Sequence, residues 1–463
     1  MKRKLKLLDA IMIVMGSMIG SGIFIVSSDM MRNLGSGYWL IVVWIITGVM
    51  TVAAAITYGE LSSMFPKAGG QYTYITEIFG KMMGFLYGWG LFTVIQTGTI
   101  AAVAVAFGKY SAYLIPALND AAPLFEMGTF KITWIQILGI AVIMLLTFIN
   151  TRGVQSGKIL QNVFTLSKII AIVGLILAGF LMVKNGMLSS AFDVGNSSFQ
   201  NLKNTNWTEI GGITLMGGIA AAMVGSVFSS VAWESVTFVS GEVENPKKNI
   251  VKAMVWGTTS VMILYLLVNF VYLNTLTRDE IAFAANDRVA VAASQKIFGD
   301  GVGTIVIALL VMVSTFGCNN GLILAGARVF QTMAKDGLFF KAAQEDNING
   351  VPAKSLWMQG IWASLLCLSG QYGDLLDMIS FVIVLFYMIT VFGVIWLRIQ
   401  KPQLERPYKT WLYPITPIIY LVIGILFCVL LIIYKPQYTW PGFILILIGV
   451  PVYYFINRGK SRK

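Results

Sequence analysis

Runs of about twenty apolar residues recur along the whole chain, and they leave it few ways to fold. A helix of that length crosses a bilayer core while satisfying its own backbone hydrogen bonds. The runs do not alternate apolar with polar residues, as the strands of a membrane barrel would. Composition agrees: 57% of the 463 residues are hydrophobic and 12% charged, against roughly 25% charged in soluble domains. The chain reads as an all-α integral membrane protein. Met1-Lys2-Arg3-Lys4 is positive, but the first apolar run continues past any small-residue cleavage site, so no cleavable signal peptide is expected.

Hydropathy predicts about twelve transmembrane helices, near 9–31, 37–63, 81–114, 132–150, 159–183, 210–241, 250–276, 289–334, 354–371, 374–398, 411–434 and 440–457. The third and eighth are long enough to tilt or to extend beyond the bilayer. Basic residues set the orientation. Lys2, Arg3, Lys4 and Lys6 open the chain, and Arg458, Lys460, Arg462 and Lys463 close it. Lys247 and Lys248 follow span six; Lys335, Lys341 and Lys354 follow span eight; Arg398, Lys401, Arg406 and Lys409 follow span ten. The alternate loops carry Asp120, Glu126, Asp279, Glu280 and Asp287. The positive-inside rule then places both termini in the cytoplasm and accounts for the net charge of +12 without nucleic acid.

Cys318, Cys367 and Cys428 all fall inside apolar runs, which speaks against a disulfide framework or a zinc site. There is no histidine, so His-based catalysis and His metal ligation are excluded. No nucleophile, metal set or phosphate loop stands out, no cofactor is expected, and an enzyme is the disfavoured class.

Two spans are punctuated. In the first, Gly16-Ser17-Met18-Ile19-Gly20-Ser21-Gly22-Ile23-Phe24 loses helix propensity where no water can reach freed backbone groups. One reading is a discontinuous helix whose ends hold a small polar ligand; the other is close packing through Gly16 and Gly20. In the sixth, Gly211-Gly212, Gly217-Gly218 and Gly225 lead into Phe228-Ser229-Ser230-Val231-Ala232-Trp233-Glu234-Ser235. Spans one and six each open a five-span unit, the spacing an inverted repeat requires.

These residues resemble the amino acid–polyamine–organocation superfamily, whose LeuT-type fold has five plus five inverted spans with helices 1 and 6 broken. Gly16 to Phe24 matches its G-x-x-I-G-S-G-I-F signature, and Gly59-Glu60-Leu61 with Pro66 to Tyr72 resembles its second-span exit. Glu242 to Asn249 matches the E-x-x-N-P-x-x-N segment after span six. Arg328 to Gly337 and Arg406-Pro407-Tyr408-Lys409 look like its later cytoplasmic loops. The closer resemblance is to L-type amino acid transporters and their bacterial relatives, through Phe164 to Lys168, Phe228 to Trp233 and Tyr265 to Asn269. Those transporters commonly have Gly before the Trp and Asn after it, where this chain has Ala232 and Glu234. A glutamate there is more like the arginine/agmatine exchangers. The resemblance implies one transmembrane domain over 1–463, with repeat units near 9–183 and 210–398 and additional helices near 411–457.

The expected site follows. Amides of Ser21, Gly22 and neighbours would present N–H donors to a carboxylate, and carbonyls around Ile19, Gly20 and Phe228, Ser229, Ser230, Val231 would suit an ammonium. A zwitterionic α-amino acid completes both sets, which the resemblance also implies. Lys168 lies ten residues beyond Lys158, a rise of about 15 Å, close to the midplane. A lysine there costs roughly 2.5–3.5 kcal/mol. By resemblance it occupies the region where sodium-dependent relatives bind a cation. Its ammonium is expected to replace that sodium, tethering spans one and eight; an ion pair with Glu234 or polar backbone is the alternative. Glu234 could sense protons, meet a cationic substrate or hydrogen-bond across helices. Phe228 resembles a gating aromatic, or packs. Tyr265 is a hydroxyl donor to the cavity, or packs. Gln96 and Thr97 are candidates for side-chain selectivity, and Asn319 and Asn320 could be inter-helix hydrogen bonds.

The expectation is a sodium-independent exchanger of small or neutral L-amino acids, working by alternating access in the cytoplasmic membrane. A proton-coupled symporter, a cationic amino acid or amine exchanger, and a non-transporting amino acid sensor remain as alternatives. The partners expected are amino acids and the lipid bilayer. Heteromeric relatives use an extracellular-loop cysteine that this chain lacks, so no obligatory accessory subunit is expected.

Overall fold

The apolar runs are helices in the computed structural model, which describes residues 5–458 apart from 68, 121–122, 128–129, 154–156, 184–185, 187, 189–199, 204–205, 300 and 370–371. Lys2, Arg3, Lys4, Lys460, Arg462 and Lys463 lie outside the described residues. In chain order the helices are α1 (Leu7–Met18), α2 (Gly22–Leu34), α3 (Gly37–Met64), α4 (Gln71–Phe79), α5 (Lys81–Leu114, with a π-helical turn at Leu91–Ile95), α6 (Trp134–Thr151) and α7 (Gly157–Leu181). They continue as α8 (Gly212–Ser229), α9 (Ser235–Phe238), α10 (Pro246–Thr275), α11 (Val289–Phe298), α12 (Val302–Lys335), α13 (Ala353–Ser369), α14 (Tyr372–Gln400), α15 (Ile415–Tyr434) and α16 (Pro436–Arg458).

Among the described residues, nine helices are long and apolar enough to cross a membrane, or ten if α1 and α2 count as one bent span. The sixth expected span stops early, as α8, because the chain leaves helical geometry after Ser229. The expected ninth is the 17-residue α13. One expected span divides: residues 289–334 form α11 and α12, separated at Gly299, whose φ of 72° lies where glycine alone escapes a Cβ penalty.

Helix contacts without a water-driven hydrophobic force depend on close approach, and small residues permit it. A Cβ at Gly257 would overlap Val14, one at Gly225 would press on Val26, and one at Gly59 would press on Tyr408 and Val251. These glycines seat α10 on α1, α8 on α2, and the segment before α15 on α3.

The face that carries the N-terminus is clasped by one carboxylate. Glu60, on α3, is buried and receives Arg398 Nε and Nη2 at 2.9 and 2.6 Å, with Thr410 N–H and Oγ1 both at 2.8 Å. Arg406 Nε lies 3.3 Å away. On the same face Leu5 donates to Glu242 O and accepts from Glu244 N–H, so the N-terminal segment pairs with the chain just beyond α9. Asn245 takes the left-handed φ of 46° and Pro246 starts α10, where its missing N–H costs nothing. That is the physical content of the sequence's Asn-Pro. Removing one partner of a buried ion pair strands the other. Glu60→Gln is therefore expected to lower unfolding stability by about 3 kcal/mol, read as a fall in thermal midpoint in detergent, whereas exposed Glu405→Gln leaves the midpoint within error.

Candidate functional site

The first break spans Ile19 to Ser21, and its two half-helices meet at 41°. A helix end leaves four carbonyls without intrahelical partners, and in a dry interior each must find one. All four at the end of α1 do. Ile19 N–H takes Met15 O; Lys168 Nζ donates to Gly16 O at 2.8 Å; Cys318 Sγ lies 3.6 Å from Ser17 O; and Tyr265 OH donates to Met18 O at 2.8 Å. Beyond the break, Tyr272 OH donates to Ile23 O at 3.1 Å and Tyr110 OH to Phe24 O at 2.8 Å. The amide side is different. Among the described residues, the N–H groups of Gly20, Ser21, Gly22 and Ile23 have no backbone acceptor, and the first such bond is Phe24 N–H to Ser21 O.

The second break follows α8. Ser230 N–H closes the helix on Ser226 O and Val227 O, and the Ser229 and Ser230 hydroxyls bond back to Gly225 O and Ser226 O. The carbonyls of Phe228 to Val231 are left without a backbone donor among the described residues. Ala232 holds φ at 67°, a left-handed conformation that costs an L-residue roughly 1–2 kcal/mol. The two breaks touch: a Cβ at Gly22 would overlap the side chain of Ser229. Among the described residues, amides without a backbone acceptor at the start of α2 and carbonyls without a backbone donor at the end of α8 thus flank a contact that only glycine permits.

Two aromatic rings, which would serve as a lid, lie beside this contact. Tyr372 OH lies 3.1 Å from Ser21 Oγ, and Phe228 meets the Tyr372 ring edge-on with centroids 6.1 Å apart. Lys109 Nζ sits 5.3 Å above the same ring and pairs with Asp287 at 2.9 Å, which Arg32 Nη1 also meets at 3.0 Å. A cavity of about 460 Å³ opens beyond these rings, on the face opposite Glu60, lined by Arg32, Asp287, Tyr372 and Asp377 among others. Burial pushes the Asp287 carboxyl up, but the ammonium of Lys109 and the guanidinium of Arg32 outweigh it and hold it below the usual value.

The expected residues are thus distributed. Gly22 meets Ser229, Ser21 and Phe228 share Tyr372 as a neighbour, and Ser230 meets Thr51 of α3. Lys168 engages span one through Gly16 O and lies within electrostatic reach of Cys318 on α12, whose Sγ in turn contacts Ser17 O. Lys168 forms no ion pair with Glu234 among the described residues. Tyr265 donates to α1 backbone. Glu234 is buried beside Trp233 with its carboxylate next to Tyr387, and Oε2 has no hydrogen-bond partner among the described residues. Gln96 Nε2 donates to Leu322 O, joining α5 to α12, and Thr97 Oγ1 donates to Phe92 O within α5 at its π-helical turn. Asn320 pairs with Asn150 at 2.9 Å, while the Asn319 amide has no partner among the described residues. Sequence reasoning missed Tyr272, Tyr110, Cys318 and Tyr372. Tyr272 was the most findable, two helical turns after Tyr265 on the same face.

Two measurements test this geometry. Ala232→Gly relieves the left-handed strain and should hold stability within about 1 kcal/mol, whereas β-branched Ala232→Val should lose more, read as thermal midpoints. A depressed carboxyl contributes stability above the ordinary carboxylate range and loses it as pH falls through its lowered value. Below about pH 4 the wild type should therefore lose more thermal stability than Asp287→Asn, which lacks that contribution at every pH.

Comparison with known proteins agrees with this architecture. The chain is 29% identical over 457 residues to the Asc-type amino acid transporter 1 of Mus musculus, covering 98% of this chain and 81% of that protein. It is 27% identical over 460 residues to the mouse b(0,+)-type amino acid transporter 1, covering 98% and 88%. Against the Homo sapiens large neutral amino acids transporter small subunit 2 it is 29% identical over 455 residues, covering 98% and 80%. The amino acid permease family model matches residues 5–453, and the chain belongs to that family of transporters.

Proposed function

We propose that the chain exchanges small or neutral L-amino acids across the cytoplasmic membrane by alternating access, independently of sodium and without an accessory subunit. The observation that carries this reading is the meeting of two broken helices at Gly22 and Ser229, with amides on one side and carbonyls on the other that have no backbone partner among the described residues. The substrate carboxylate takes the N–H groups from Gly20 to Ile23, where the helix dipole adds about half a positive charge. The ammonium takes carbonyls of Ile19 and of Phe228 to Val231. The relatives' names, which speak of neutral and Asc-type amino acid transport, support the substrate class.

On this reading the spans number twelve, arranged as inverted units near 9–183 and 210–398 in a LeuT-like fold, with both termini cytoplasmic. Tyr372 and Phe228 are the gate toward the outer cavity. Lys168 supplies at Gly16 O the positive charge that a sodium ion would otherwise bring, which supports sodium independence. A second reading, proton-coupled symport, draws on the unpartnered oxygen of buried Glu234.

Proteoliposome uptake of radiolabelled alanine, serine, leucine and arginine, each with and without internal amino acid, decides between them. Exchange requires internal substrate and ignores a proton gradient; uptake into empty vesicles that follows the gradient overturns exchange in favour of symport. Binding without flux for any of the four would make the chain a sensor. Lys168→Ala should cut exchange at least tenfold while leaving the protein monodisperse, and normal transport by that variant would refute the role given to Lys168.

A further inference from the structure

An apolar groove of about 390 Å³ runs down the outer surface between α3, α10 and α15, lined by Val49, Val52, Ile263, Leu266, Trp411 and Ile415 among others. It faces the membrane, so its contents are lipid. Its mouth on the Glu60 face is chemically distinct. Along α10, Lys248, Lys252, Trp256, Thr259, Ile263 and Leu266 fall within about 80° of one another at 3.6 residues per turn, so one stripe runs from two lysines through a tryptophan into the groove. The segment entering α15 brings Lys409 and Trp411 to the same mouth. Val251 and Tyr408, neighbours of Lys252 and Lys409 in sequence, both press on the position a Gly59 Cβ would occupy. Lys248, Lys252, Lys409, Trp256 and Trp411 are all exposed, and none of the three lysines has an ion-pair partner among the described residues.

Glu60 draws Arg398 and Arg406 inward, yet these three lysines are left facing the level where lipid headgroups lie. Tryptophans at that level prefer the headgroup boundary, and each lysine near an anionic membrane surface adds about fivefold to binding. We infer that this groove is a binding site for one anionic phospholipid, its phosphodiester held by Lys252 and Lys409 with Lys248 at the rim, and an acyl chain laid between α3, α10 and α15. The site needs only the membrane-spanning fold and holds whatever substrate the protein carries. It would join α10, which grips both halves of the broken helix, to α15.

The test is native mass spectrometry of the full-length protein, purified in detergent and offered equal amounts of phosphatidylglycerol and phosphatidylcholine with identical acyl chains. The wild type should retain one phosphatidylglycerol at least tenfold over phosphatidylcholine, and the preference should shrink as ammonium acetate is raised. Lys252→Ala combined with Lys409→Ala should bring the two lipids within twofold. Val49→Trp, which fills the groove but leaves the lysines in place, should also lose the tightly held lipid. Glycerol phosphate at the same concentration should not displace it, because the acyl chain contributes. Equal retention of both lipids by the wild type, or an unchanged preference in the double variant, would overturn the inference. Displacement by glycerol phosphate would overturn the groove's part in it. The wild-type competition stands even if a variant fails to fold.

Discussion

A backbone carbonyl in a bilayer interior has no water to turn to, and this one constraint organises the molecule. The chain breaks its first membrane helix at Ile19–Ser21, so four carbonyls at the end of α1 need partners at a depth where only protein can supply them. Met15 O finds an amide of its own turn. The other three draw a side chain each from α7, α12 and α10, three helices that must pack around α1 for the break to exist. Lys168 belongs to this set: a centred ammonium, costly to bury, becomes tolerable because it meets a carbonyl that would itself be costly alone.

Satisfaction is lopsided. The carbonyl end of α1 is closed by protein, while the amide end of α2 is not, and α8 leaves its last carbonyls open where it meets α2. Donors left open on one side of the contact between Gly22 and Ser229, and acceptors on the other, are what the proposed substrate site rests on. The ion pairs at the two faces are of different kinds. Glu60 is buried under its partners, whereas Asp287 is shared between Arg32 and Lys109 at the rim of an open cavity.

The break at Gly20-Ser21-Gly22 and the stop after Phe228-Ser229-Ser230 were legible because helix propensity collapses there inside apolar runs. Lys168, expected deep in its span from counting residues along a helix, is buried beside the first break. The residues that stabilise the break were not legible, because Tyr110, Cys318 and Tyr372 are ordinary apolar-span residues until the fold brings them beside α1 and α2. Glu234 shows a different limit. Its place next to Trp233 was legible, but which of its neighbours the carboxylate meets was not, because the left-handed turn at Ala232 sets its direction, and it lies beside Tyr387. Division of residues 289–334 falls at Gly299-Asp300-Gly301, a turn signal that the long apolar stretches on either side outweighed.

Tyr265 and Tyr272 sit on one straight helix, seven residues apart, and grip Met18 on one side of the gap and Ile23 on the other. α10 is thus a splint across the fracture. Bending at the gap alone would pull one hydroxyl or the other off its carbonyl, so the two halves and α10 are built to turn together. The compliance needed to open a path must then lie at the edges of that unit, where Cys318 offers Ser17 only a long, weak sulfur contact.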